Sequence, residues 1–188
     1  INKELKIKYD FLDLNFGCPV RKVTSSGAGS SWLKDPKKLY KYVQEIVKHS
    51  PKPVTAKIRL GIDNQHINFK KVIEVLTKAG VKAIAVHART TKELYSGEPH
   101  YNLLKEYGKK MKVPLIISGN IFSLDDAIKA LKITKAQAVM VARGGVGNPH
   151  LIKQIDKYLS KKQKITDINP IENIKYCREL SKALILEK

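Results

Sequence analysis

The stretch Val54-Thr55-Ala56-Lys57-Ile58-Arg59-Leu60-Gly61 decides how the chain folds. It sets Val54, Ala56, Ile58 and Leu60 against Thr55, Lys57 and Arg59 and closes on a glycine, whereas Ala83–Val86, Val113–Ile117 and Ala138–Ala142 are apolar with little alternation. A strand exposed on one face alternates apolar and polar residues. A strand covered on both faces reads as a nearly continuous apolar run, which is the mark of parallel-sheet packing. The same grammar recurs on either side. Upstream, Phe11–Leu14 leads into Asn15-Phe16-Gly17-Cys18-Pro19. Downstream, Ala83–Val86 leads into His87-Ala88-Arg89-Thr90, and Val113–Ile117 into Ser118-Gly119-Asn120. A last run, Ala138–Ala142, leads into Arg143-Gly144-Gly145.

Helical patterns separate these runs. Asp35-Pro36 supplies a cap and a first-turn proline, and Leu39, Val43, Ile46 and Val47 keep helical spacing after it. Phe69, Val72, Ile73 and Leu76 line a second helix, with Gly80 as its stop. A short helix is expected over Tyr101–Lys109. Ser123 and Asp126 form a capping box for a helix through Leu131. Asn148-Pro149 caps another, carrying Leu151, Ile152, Ile155 and Leu159. Strand and helix therefore alternate in an α/β pattern. Both a (β/α)8 TIM barrel and an open doubly wound sheet fit that rhythm. Lys161–Lys164 reads as a basic linker. Asn169-Pro170 then starts a last helix whose apolar stripe is Ile171, Ile174, Cys177, Leu180 and Leu184, with Cys177 expected in a core. The expected division is residues 1–160 and residues 161–188.

The chain has 188 residues, 43% of them hydrophobic, which suffices for a globular domain and argues against disorder. No apolar run reaches the length of a membrane span, and no signal-peptide pattern opens the chain. With two cysteines, Cys18 and Cys177, the chain lacks a disulfide framework, and a reducing cytoplasm is the expected setting. The net charge of +19, from 36 basic and 17 acidic residues, favours an anionic partner such as nucleic acid. A general lysine bias explains part of that surplus, since only five of the basic residues are arginine. Four of those five, Arg21, Arg59, Arg89 and Arg143, stand beside turns that carry Gly, Cys or His. A planar guanidinium fork suits phosphates and base edges.

Polar and glycine residues follow every strand at its C-terminal end, where the loops of a parallel sheet build ligand sites. Lys57 and Arg59 are two residues apart and point the same way in an extended chain, and His87 and Arg89 repeat the arrangement. Four cationic side chains facing one pocket would suit an anion or an electron-rich ring. Glycine turns at Ser118-Gly119-Asn120 and Arg143-Gly144-Gly145 leave room for backbone N–H groups to wrap a phosphate. Cys18, in a Gly-Cys-Pro turn beside a long polar stretch from Val20 to Lys34, reads as a reactive thiol or proton donor. That stretch has no clear pattern and reads as a lid or binding loop. His49, His66, His100 and His150 have no convergent partners in the sequence and read as surface or loop residues. No Cys/His spacing resembles a zinc site, and neither a P-loop nor a strand–GxGxxG–helix is present, so no metal is expected.

The string Asp13-Leu14-Asn15-Phe16-Gly17-Cys18-Pro19, with Arg21-Lys22-Val23 and Gly27-Ala28-Gly29-Ser30, resembles the signature of the tRNA-dihydrouridine synthase family. So do Lys57-Ile58-Arg59-Leu60-Gly61, His87-Ala88-Arg89-Thr90 with Tyr95-Ser96-Gly97, and Val141-Ala142-Arg143-Gly144 with Gly147-Asn148-Pro149. The resemblance implies an eight-stranded TIM barrel of which this chain holds strands four to eight within residues 1–160. Residues 161–188 would then be a linker and the start of a helical tRNA-binding domain. It implies FMN as cofactor, NADPH as reductant and tRNA as substrate, with the C5–C6 double bond of a uridine as the bond reduced. Cys18 would be the general acid. Asn15, Arg59 and Arg89 would serve substrate binding. Lys57, His87, Ser118, Gly119, Asn120, Ala142, Arg143 and Gly144 would hold the flavin. A part-barrel would expose sheet edges and invite self-association. Two departures stand out: Ser118-Gly119-Asn120 where the family often has Asn-Gly-Asp, and Ser25-Ser26 where basic residues are common. Alternatives are another FMN barrel oxidoreductase acting on a small molecule, of the dihydroorotate dehydrogenase type, and a truncated barrel that binds RNA without catalysis.

Overall fold

The computed structural model describes residues 8–164 and 170–186. Five strands, β1 (Leu12–Phe16), β2 (Val54–Arg59), β3 (Ala83–His87), β4 (Leu115–Ser118) and β5 (Ala138–Met140), form one sheet in the order β1-β2-β3-β4-β5. Every pairing is parallel. The helices are α1 (Arg21–Ser25), α2 (Pro36–His49), α3 (Phe69–Lys78), α4 (Leu124–Thr134), α5 (His150–Lys161) and α6 (Pro170–Leu186). The α/β alternation and the all-parallel sheet expected from the sequence are both present.

The chain divides into two compact units. One holds the chain through Gly119 together with Ala130–Met140, and so contains the whole sheet. The other holds Asn120–Lys129 and the chain from Val141 onward. In the first unit the two faces of the sheet differ in kind. One face carries Val54, Ala56, Ile58, Ile84, Val86, Leu115 and Ile117, all buried. Helix α3 packs on β2 and α2 packs on α3, and these helices bring Leu39, Val43, Val72 and Leu76 into the core at 0% exposure. The opposite face, read across the register, carries Asp13 and Asn15, then Thr55, Lys57 and Arg59, then Ala83, Ala85 and His87, then Ile116 and Ser118, with the polar groups gathered toward β1 and β2 and the strand ends. A parallel strand buried among apolar groups needs nothing polar on either face, so this second face is shaped for something other than packing.

Local chemistry explains the ends of the elements. The Asp35 carboxylate accepts from the N–H groups of Lys37 and Lys38 at 3.0 Å each, with Pro36 in the first turn of α2. Ser123 and Asp126 exchange bonds as a capping box, 3.1 Å from Asp126 N to Ser123 Oγ and 2.9 Å from Ser123 N to the Asp126 carboxylate. Gly80 closes α3 at φ +99°, a conformation that favours glycine.

Four expectations are corrected. The stretch Val20–Lys34 is not an unstructured lid: it folds as α1 and a 3-10 helix over Gly29–Lys34, with Ser30 and Leu33 fully buried. Tyr101–Lys109 forms two short 3-10 turns, Tyr101–Leu104 and Tyr107–Lys109, because Glu106 between them takes a left-handed conformation at φ +56°. Asn148 does not cap α5; Pro149 stands at the cap position, and the buried Oδ1 of Asn148 has no hydrogen-bond partner among the described residues. Cys177 is exposed, as are Ile171, Ile174, Leu180 and Leu184 on the same helix. Asn169, expected to start that helix, lies outside the described residues. No helix among the described residues is long and apolar enough to cross a membrane.

Candidate functional site

The polar face of the sheet ends at the strand C-termini, and the register places its functional groups side by side. Asn15 lies opposite Lys57, Arg59 opposite His87, and His87 opposite Ser118. Immediately beyond β1 the chain turns through Gly17-Cys18-Pro19. Asn15 Oδ1 accepts from Gly17 N–H at 3.0 Å, so the side chain braces the turn that follows its own strand. The Cys18 thiol is free and partly exposed.

Lys57 is partly buried beside this turn. Burial lowers its pKa from the ordinary lysine value, and Arg59 lowers it further, while Asp13 and Cys18 pull the other way. Asp13 is itself held by Thr55, whose Oγ1 donates to it at 2.6 Å. Lys57 forms no salt bridge with any described residue. Burial and the Arg59 charge therefore both disfavour the charged form of Lys57.

The arginines are placed differently from the expectation of four cations facing a pocket. Arg59 is 1% exposed and Arg89 0% exposed. Arg59 donates from Nε to Gly17 O at 3.0 Å and from Nη1 to Thr90 O at 2.7 Å and Leu94 O at 2.8 Å. Arg89 donates from Nε to Ser96 O at 3.0 Å, from Nη2 to Gly97 O, and lies 3.3 Å from His87 Nε2. Both guanidinium groups therefore brace the loop after β3 through main-chain carbonyls. Burial lowers the Arg59 pKa, Tyr95 raises it, and Arg89 lowers it.

The same loop is tied by a carboxylate that sequence reasoning missed. Glu93 accepts from Thr90 N at 2.6 Å and Thr90 Oγ1 at 3.0 Å with one oxygen, and meets His100 Nε2 at 2.5 Å with the other. Burial pushes its pKa up, but the bonds from His100 and Thr90 outweigh that and hold it below the ordinary carboxylate value. His100 and His66, expected without partners, both have one: His66 Nδ1 lies 2.6 Å from Asp63, which also pairs with Lys92 at 2.8 Å. The braced loop presents Tyr95, 55% exposed, with its ring 6.1 Å from that of His87 and 5.7 Å from the Arg59 guanidinium. No position in the sequence spelled out these carbonyl contacts; the spacing of charge to glycine was the one available signal.

Ser118 and Gly119 are buried at the end of β4. Gly119 stands at φ +127°, with Pro99 and His87 carbons 3.1 to 3.3 Å from where a Cβ would lie. In the second unit, Arg143 Nη2 donates to Asn120 Oδ1 at 3.2 Å and its guanidinium lies 5.3 Å from the Phe122 ring. A Cβ at Gly144 would overlap the Ile121 carbonyl, so that turn requires glycine. Ala142 precedes it as the residue before the 3-10 turn Arg143–Gly145. Among the described residues no group of three or more His, Cys, Asp or Glu is placed to hold a metal ion.

The chain is thus an α/β protein with an all-parallel sheet, one apolar face, and a free thiol, a partly buried lysine and glycine turns at its strand ends. The family model described as Dihydrouridine synthase (Dus) matches residues 2–186, and the chain belongs to that family. It is similar to a probable tRNA-dihydrouridine synthase of Rickettsia bellii, with 36% identity over 159 residues, 85% of this chain and 48% of the relative. It is similar to tRNA-dihydrouridine synthase B of Pasteurella multocida, with 32% identity over 84% of this chain and 48% of the relative. A probable tRNA-dihydrouridine synthase of Rickettsia conorii is 37% identical over 79% of this chain and 45% of its own length. The chain spans about half the length of the curated relatives it matches. A FabK mutant structure from Thermotoga maritima aligns over 85% of this chain and 70% of its own, at 15% identity and a TM-score of 0.32, too low to weigh in the argument.

Proposed function

We propose that the protein to which this chain belongs is a tRNA-dihydrouridine synthase, an FMN-dependent oxidoreductase of the cytoplasm that reduces the C5–C6 double bond of a uridine in tRNA at the expense of NAD(P)H. The observation that carries the reading is Lys57: a partly buried cation without a salt bridge, beside the turn that carries a free thiol. An anionic or electron-rich ligand at that point would offset the burial and the Arg59 charge that disfavour the ammonium form.

The residues present fit FMN. In the first unit Lys57 and His87 would contact its ring system and Ser118 and Gly119 its phosphate; Asn120, Ala142, Arg143 and Gly144, in the second unit, are the further residues proposed for the phosphate. When bound, FMN supplies the hydride that goes to C6 of the uracil. Cys18 gives a proton to C5 from the opposite face as general acid. Asn15 spends its Oδ1 on Gly17 N–H, which leaves its amide NH2 oriented to donate to a uracil carbonyl. Arg59 and Arg89 act on the substrate through the loop they brace, and Tyr95 offers an aromatic face there. The +19 charge suits a phosphate backbone that must compensate for unstacking the target base.

We further propose that the five strands are strands four to eight of a (β/α)8 barrel, followed from residue 161 by a linker and the start of a helical tRNA-binding segment. β1 stands at the sheet edge and pairs with β2 alone among the described strands, as expected of a strand that further strands would pair with. A short chain of this kind would gain from association with a second copy.

Mass spectrometry of tRNA from cells deprived of the full-length gene tests the function. Loss of dihydrouridine at a defined position, restored by the gene, is the expected result; an unchanged dihydrouridine profile would contradict it.

A further inference from the structure

The turn that carries Cys18 is held from a direction the reaction itself does not require. Cys18 O accepts two hydrogen bonds from one residue, Ser30: 3.0 Å from its backbone N and 2.9 Å from its Oγ. Ser30 is 0% exposed. The preceding residue, Gly29, stands at φ +56°, and a Cβ there would lie 2.6 Å from Cys18 O and 3.0 Å from Cys18 Cβ. The start of the 3-10 helix is therefore seated directly on the backbone of the thiol-bearing residue.

We propose that Ser30 is a positioning residue for the Cys18 thiol. The proposal deepens the functional reading above and rests on it for the role of Cys18. Two peptide planes flank the Cys18 Cα, and each is held by its carbonyl. The plane before it is held by Arg59 Nε on Gly17 O at 3.0 Å, and the plane after it by Ser30 on Cys18 O. Peptide units are rigid, so holding both planes leaves the Cα–Cβ direction fixed. Pro19 narrows the backbone of Cys18 further. The thiol retains one staggered torsion, χ1, with which to meet a substrate. Packing alone does not call for this hydroxyl. The Ser30 N–H already pairs with the carbonyl, and alanine would fill the same space without a buried polar atom to satisfy. The hydroxyl adds a second, differently directed bond that resists rotation of the 18–19 peptide plane.

The test uses the full-length protein loaded with FMN and compares Ser30→Ala with the unaltered enzyme. Flavin reduction by NADPH and the KM for tRNA are expected to stay within about twofold. The kcat for dihydrouridine formation is expected to fall on the order of 10-fold, since small misplacements of a reacting group cost about that much or more. The rate of Cys18 alkylation by iodoacetamide at fixed pH is expected to change by roughly threefold. Unchanged kcat and alkylation would overturn the proposal, and so would a parallel loss of flavin reduction, which marks a general structural role. If Ser30→Ala gives no folded flavoprotein, the same measurements on Ser30→Cys, which keeps the bulk and weakens the bond to Cys18 O, decide in the same way, and failure of both variants to fold assigns Ser30 to the core and overturns the proposal. If the unaltered protein forms no dihydrouridine, the functional reading fails, while the alkylation rates still decide whether Ser30 positions the thiol.

Discussion

The Nε of Arg59 donates to the carbonyl oxygen of Gly17 across 3.0 Å, and through that bond a residue at the end of β2 holds the turn that follows β1. The same guanidinium holds Thr90 and Leu94 on the loop after β3, so one buried cation joins three strand ends. Replacing Arg59 by Met leaves these carbonyls without their donor. At about 1–3 kcal/mol for each buried group left unpaired, a loss on the order of 3 kcal/mol or more is expected. Chemical denaturation of the full-length variant measures it. Hydrogen exchange should quicken at residues 90–97 and in the Cys18 turn, and exchange unchanged there would remove Arg59 from its bracing role.

Lys57 leads to a prediction of opposite sign. Its pKa is lowered in the folded state, first by burial and then by Arg59. Between the folded pKa and the ordinary value of 10.5 the unfolded chain holds more protons, so stability rises with pH through that window. Below the folded pKa the cost of keeping the charge is fully present. Lys57→Met is therefore expected to leave thermal stability at pH 7 unchanged or raised, to flatten its rise at alkaline pH, and to abolish turnover. A marked fall in melting temperature at pH 7 would show that the ammonium stabilises the fold.

Glu93 gives the acid-side counterpart. Burial pushes its carboxyl up, and the bonds from His100 and Thr90 more than reverse that. The stability it contributes is present above its ordinary value of 4.5 and is lost as pH falls through its lower folded pKa. Proteolysis or hydrogen exchange of residues 88–100 should show the loop loosening in that acid range. In Glu93→Gln the loop should be looser already at pH 7, with the acid step gone. A step that persists in the variant belongs to another carboxylate.

Cys18 separates the two halves of the proposed reaction. Cys18→Ala in the full-length protein is expected to keep flavin reduction by NADPH and to lower dihydrouridine formation by at least about 10²-fold, the usual scale of a general acid's contribution. Turnover near that of the unaltered enzyme would take the thiol out of the mechanism.

Much of this was legible in the sequence, for identifiable reasons. Strand runs and helix caps are local: Asp35 and the Ser123–Asp126 pair act within four residues of themselves, and the structure shows those bonds. The two-residue spacing that puts Lys57 and Arg59 on one side of β2 was legible in the same way, whereas the pairing of Asn15 with Lys57 emerged only from the sheet register. What escaped was non-local. The carbonyls that Arg59 engages lie 31 to 42 residues away in sequence, and a charge beside a glycine does not say which carbonyl it will find. Val20–Lys34 hid its structure because its helices are short and its buried residues, Ser30 and Leu33 among them, set up no periodicity. Cys177 keeps helical spacing with Ile174 and Ser181, yet spacing cannot say whether anything covers the stripe.

The central claim is that this family of strand-end residues serves flavin-dependent reduction of a tRNA uridine. The purified full-length protein, loaded with FMN and given NADPH and tRNA lacking dihydrouridine, tests it directly when the tRNA is digested and weighed by mass spectrometry. The account predicts a gain of two hydrogens at one uridine, dependent on both FMN and Cys18. A reduced, flavin-loaded protein that leaves every uridine unchanged would contradict it.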